Sequence, residues 1–230
     1  MEQSVEIPVG RYSSVSALVG VRASPVVVIA THPWGPMGGS MYDPHPTTVC
    51  KVFGEAGCST ARFNFRGGIG WGEASAEDVK AVADWFTKPQ DDKAPLASQV
   101  LLVGYSYGAL IAAAAGADIP EMIGWTTIAP ALDYAWAIYL FNGRSLRAKA
   151  AIENKPKLVI GGTNDVFCSE STLRGFADEL PEPKQVIVME GLDHFSHYSH
   201  LRRTMAEWIA SAFAVRDLRE FAQVGANSSR

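Results

Sequence analysis

Short apolar runs that are continuous rather than alternating constrain this chain most. They fall at 26–31, 59–65, 100–105, 123–129, 158–162 and 185–189, with helical stretches between them. A strand with one face in solvent alternates apolar and polar residues, whereas an unbroken Val/Ile/Leu run needs cover on both faces. Strands of that kind, alternating with helices, build a parallel sheet with helices packed on either side. Two alternating segments, 5–9 and 15–21, open the chain around a Gly-Arg-Tyr-Ser-Ser turn and predict an antiparallel pair. The predicted helices lie near 47–56, 73–86, 107–117, 133–151, 171–179, and from Ser196 to the last turn before Gly225. The expected fold class is α/β, a three-layer α/β/α sandwich with a mostly parallel sheet of about eight strands. A length of 230 residues fits one domain over 1–230, with a frayed tail at 225–230.

Charge and composition narrow the partners. A net charge of −4 leaves no basic surplus, which argues against nucleic acid or an anionic membrane surface. No apolar stretch approaches the roughly 18 residues of a spanning helix. The opening Met1-Glu2-Gln3-Ser4 does not read as a secretory signal. Cys50, Cys58 and Cys168 are odd in number and lack C-x-x-C spacing, so buried thiols in a reducing, cytoplasmic setting are expected.

In open parallel sheets, reactive groups collect beyond the carboxyl ends of the strands. Gly104-Tyr105-Ser106-Tyr107-Gly108 follows the run Val100-Leu101-Leu102-Val103 and precedes the helical stretch from Ala109. A strand that reverses into a helix over one residue crowds the flanking positions against neighbouring backbone, and only glycine leaves room there. Ser106 would stand strained at the apex of this nucleophile elbow, while the Tyr107 N–H, an unpaired donor at the helix start, would face a developing oxyanion. Asp165 follows the strand at 158–162 and His194 the strand at 185–189, so the order is serine, acid, histidine. The serine hydroxyl needs a base, an imidazole can serve as that base, and a carboxylate would fix its tautomer. Two other acids are in play: Asp193, whose side chain should point away from its neighbour's ring, and Asp133, after the strand at 123–129. His197 and His200 read as surface or cap histidines rather than a metal face, and no metal or organic cofactor is expected.

Gly35, Gly38 and Gly39 let the loop after 26–31 approach a substrate, while Pro33 and Pro36 stiffen it. The second oxyanion donor is expected to be the Trp34 N–H, with Gly35 as the alternative. Met37, Tyr105, Phe167 and Phe195 are expected to line the substrate cleft. The aromatic segment 132–141 and Trp71 are further candidates for its walls. Too few residues separate the elbow from Asp165 for a large lid. Arg66 is expected to tie loops together rather than to bind substrate.

These motifs, namely His32 to Ser40, Arg62 to Gly67, Gly104 to Gly108, Gly161 to Asp165 and Asp193-His194-Phe195, resemble those of the α/β-hydrolase superfamily. The resemblance covers about 5–215 and is to its small, nearly capless, dienelactone-hydrolase-like branch. It implies an eight-stranded sheet with a reversed second strand and catalytic roles for Ser106, Asp165 and His194. Dienelactone hydrolases carry cysteine at the nucleophile position, so the serine here leans toward hydrolysis of small acyl or aryl esters. A peptidase, thioesterase or acyltransferase with the same residues, or a silent binding protein on this fold, are the alternatives.

Overall fold

The computed structural model describes residues 2–67, 72–90, 93–152 and 154–213. Its eight strands are β1 Gln3–Val9, β2 Ser13–Gly20, β3 Val26–Thr31, β4 Ser59–Phe63, β5 Gln99–Tyr105, β6 Met122–Ile128, β7 Lys157–Gly162 and β8 Lys184–Met189. They form one sheet in the order β1-β2-β4-β3-β5-β6-β7-β8. β2 runs antiparallel to both its neighbours, and every other pairing is parallel. This is the expected mostly parallel sheet with a reversed second strand.

The helices are α1 Pro44–Glu55, α2 Glu73–Thr87, α3 Tyr107–Ala115, α4 Ala135–Ile138, α5 Gly143–Ala150, α6 Glu170–Asp178 and α7 Leu201–Ala212. The pleat sends alternate side chains of the central strands to opposite faces. Val27 and Ile29 of β3 and Leu102 of β5 enter a core with Val79 of α2 and Leu110 of α3, while Val26, Val28 and Leu101 enter a second core with Phe53 of α1 and Trp208 of α7. The unbroken apolar runs thus feed two cores at once, which is why they do not alternate. Each fully buried Leu or Ile contributes on the order of 2 kcal/mol by leaving water. Helix α3 is apolar all round and buried along its whole length, as a helix lying directly on the sheet should be.

Three differences from the sequence reading matter for the site. The helix predicted over 133–151 is two helices, α4 and α5, because Leu140 and Phe141 take left-handed φ values of 44° and 69°. Helix α1 begins three residues before the expected 47, since Pro44 and Pro46 sit in the first turn, where a missing N–H costs nothing. The last helix is preceded by a separate 3₁₀ turn at His197–Ser199. The expected continuation of that helix to 224, the frayed tail at 225–230 and Trp71 lie outside the described residues. Cys50, Cys58 and Cys168 are buried and none of them forms a disulfide among the described residues. Among the described residues, no helix is long and apolar enough to cross a membrane.

Candidate active site

Ser106 occupies the single residue between β5 and α3, with φ 55° and ψ −118°. A non-glycine residue held there costs about 1–3 kcal/mol and persists only if its surroundings impose it. Those surroundings are visible. The Ser106 N–H donates to the Ile128 carbonyl at 2.9 Å, and the Gly108 N–H donates to the His32 carbonyl at 3.2 Å. A Cβ on Gly104 would stand 2.4 Å from the Gly108 carbonyl oxygen, and one on Gly108 would stand 2.6 Å from that of His32. Both glycines are therefore required by crowding.

From this turn the Ser106 hydroxyl reaches His194 Nε2 at 2.9 Å, and His194 Nδ1 lies 2.9 Å and 3.0 Å from the two oxygens of Asp165. The three side chains come from beyond β5, β7 and β8, and all are buried. With a carboxylate at Nδ1, that nitrogen carries the proton and Nε2 is left to accept from the serine hydroxyl. Asp165 is itself fixed by the Phe167 N–H at 2.8 Å. The Tyr105 hydroxyl donates to the His194 carbonyl at 3.1 Å, and the Phe167 ring lies 4.5 Å from the imidazole.

The other acids are engaged elsewhere. Asp193 accepts from the Phe195 N–H at 2.9 Å and the Ser196 hydroxyl at 2.7 Å. Asp133 accepts from the Ser169 N–H at 2.7 Å and from the Thr172 hydroxyl, at the start of α6. Arg66 ties loops as expected: it pairs with buried Asp78 and with Glu77, and it donates to the Ala74 carbonyl and the Ser13 hydroxyl.

A cleft of about 230 Å³ opens on Ser106 and His194, and Met37, Tyr105, Phe167 and Phe195 all line it with Trp34. Met37 and Phe195 form its exposed rim, whereas Tyr105 is almost wholly buried. The backbone amides of Trp34, Gly35 and Tyr107 have no backbone acceptor among the described residues. The Trp34 carbonyl accepts from Met37 and Gly39, each at 3.1 Å, and so holds its loop closed. The aromatic members of 132–141 do not line this cleft; Ile138 does. Tyr139 is instead buried, its hydroxyl on the Tyr107 carbonyl at 2.8 Å, while Trp136 and Phe141 border a separate groove.

His200 is exposed at the start of α7, but His197 is not the surface or cap residue expected. It is fully buried, because the 3₁₀ turn at 197–199 points its ring toward His45 of α1, 6.4 Å away. His45 was not singled out from the sequence, yet it stacks on Tyr105 with ring centres 3.6 Å apart. Neither of its nitrogens has a hydrogen-bond partner among the described residues. Burial, followed by the neighbouring His197 and His194, lowers its pKa from 6.5 to about 3.

Below pH 6.5 the unfolded chain gains a proton at this residue that the folded chain refuses, so stability falls with pH until about pH 3. At pH 5 the loss from this one group is about 2 kcal/mol relative to neutral pH. Urea unfolding of wild type and His45→Phe at pH 7 and pH 5 checks this. The variant should gain about 2 kcal/mol on wild type over that interval, since contributions from the other histidines cancel in the difference.

No family model matches the chain. It is 25% identical over 202 residues, 83% of its own length and 80% of the relative's, to an uncharacterized protein of Rickettsia prowazekii. Among solved structures it is similar to an α/β serine hydrolase homologue from Coxiella burnetii, with a TM-score of 0.70 and 27% identity over 89% of this chain and 94% of that one. It is also similar to a serine hydrolase without a lid from Xanthomonas campestris, with a TM-score of 0.73 and 22% identity over 93% and 96% of the two chains. For an esterase from Pyrococcus furiosus the TM-score is 0.75, with 16% identity over 92% and 90%. By its architecture this chain is an α/β-hydrolase-fold protein, as its motifs lead one to expect.

Proposed function

We propose that this protein is a serine hydrolase that cleaves small acyl or aryl esters through an acyl-enzyme. The observation that carries the reading is the hydrogen-bonded series Ser106, His194, Asp165, ending at a strained serine that opens into an apolar cleft. Ser106 Oγ attacks the ester carbonyl carbon while His194 Nε2 takes its proton. The Trp34 and Tyr107 amides donate to the oxyanion. Collapse of this intermediate breaks the carbonyl–alkoxy bond, and His194 returns the proton to the departing alcohol. Water, deprotonated by His194, then releases the acid and restores Ser106. Asp165 holds the ring and steadies the imidazolium.

The preference for small esters rests on the size of the cleft and on its apolar walls, and the esterase from Pyrococcus furiosus lends the same chemistry by analogy of fold. Turnover of a p-nitrophenyl ester series from acetate to laurate tests it. Acetate or butyrate is expected to be cleaved with kcat/KM about tenfold or more above laurate, whose chain overfills the cleft. Folded protein that turns over none of the series would favour a silent binding protein instead.

A further inference from the structure

Helix α1 begins with Asp43-Pro44-His45-Pro46, and this start leaves its first carboxylate without the usual task. An aspartate at the position before a helix normally accepts from the amide two or three residues on. Here the third residue on, Pro46, has no N–H, and Asp43 makes no capping bond. Its Oδ2 instead accepts from the Ser40 N–H at 2.6 Å, with the Ser40 hydroxyl at 3.5 Å, and Oδ1 has no hydrogen-bond partner among the described residues. Asp43 lines the same cleft as Ser106.

Among the described residues Asp43 is the only Asp or Glu that lines that cleft, and no Lys or Arg lines it. The remaining walls include Trp34, Tyr105, Phe167 and Phe195. A single carboxylate in a cleft walled by aromatic side chains attracts a cation by charge, with the rings supplying cation–π contact, and it repels a carboxylate. Resting on the esterase reading above, we infer that the cleft selects esters bearing an ammonium group on one limb, with Asp43 as the specificity-determining residue. Carboxylate-bearing esters are disfavoured by the same residue.

The test uses matched esters that differ only in charge. On the alcohol limb these are 2-(trimethylammonio)ethyl acetate and 3,3-dimethylbutyl acetate. On the acyl limb they are the p-nitrophenyl esters of 4-(trimethylammonio)butyric and 5,5-dimethylhexanoic acids. The cationic member of at least one pair should show kcat/KM about tenfold above its neutral partner, a difference of the size cation–π and partly screened charge contacts supply. In Asp43→Asn, whose amide oxygen still accepts from Ser40, that ratio should fall to near one. In Glu190→Gln, which removes the same charge from an exposed site outside the cleft, the ratio should persist. Raising the salt should narrow the wild-type ratio only partly, because the site is half-enclosed. Equal turnover within both pairs, or a ratio that Glu190→Gln abolishes as fully as Asp43→Asn, would overturn the inference and leave the hydrolase reading intact. Failure of every ester, neutral ones included, would overturn both.

Discussion

Replacing Asp165 with asparagine is expected to lower kcat for a short ester by about 10⁴-fold with little change in KM. An asparagine can present its NH₂ group to His194 Nδ1, which then becomes the acceptor and moves the ring proton to Nε2. That nitrogen lies 2.9 Å from the Ser106 hydroxyl and must accept from it, so the wrong tautomer leaves the nucleophile with no base. KM should hold because Asp165 does not line the cleft. Asp133→Asn supplies the contrast. Asp133 serves the first turn of α6, so its loss should cost some stability there while kcat stays within about threefold. Steady-state kinetics of both variants, with near-UV circular dichroism to confirm folding, decide between the two acids. A collapse of kcat in Asp133→Asn with Asp165→Asn unharmed would reverse the assignment.

Much of this arrangement was legible because it rests on constraints that leave marks on residue type. Two-sided burial marks the strands as unbroken apolar runs. The close approach of α3 to β3 and β5 marks the elbow as Gly-x-Ser-x-Gly, since a Cβ at Gly104 or Gly108 would collide with backbone. The positions of Asp165 and His194 followed from the rule that loops beyond strand ends converge.

The features that differ from expectation leave fainter marks. The left-handed Leu140 and Phe141 are not glycines, so their break in the predicted helix was invisible at those positions; the Asn142-Gly143 pair just beyond was the turn signal available. His45 lies on a helix whose start was placed too late, and a lone histidine carries no periodic signal. The run Asp43-Pro44-His45-Pro46 would have placed that start and brought both Asp43 and His45 to the carboxyl end of the sheet. Burial of His197 depends on a 3₁₀ turn that short-range pattern does not distinguish from the beginning of α7.

The role of Ser106 carries the largest expected effect. Its hydroxyl forms the only bond to the acyl group in the proposed cycle, and alanine has nothing to put in its place. Loss of this nucleophile should cost about 10⁵-fold or more in kcat, leaving the residue of rate that oxyanion donors and binding supply by themselves. Labelling reads the same claim without reference to any substrate. Treated with a fluorophosphonate, the folded protein should gain one phosphonyl group per chain, mapped by peptide mass to Ser106, with esterase activity lost in step and no adduct in Ser106→Ala. An unmodified Ser106 in protein that remains folded, or full turnover retained by Ser106→Ala, would contradict the account.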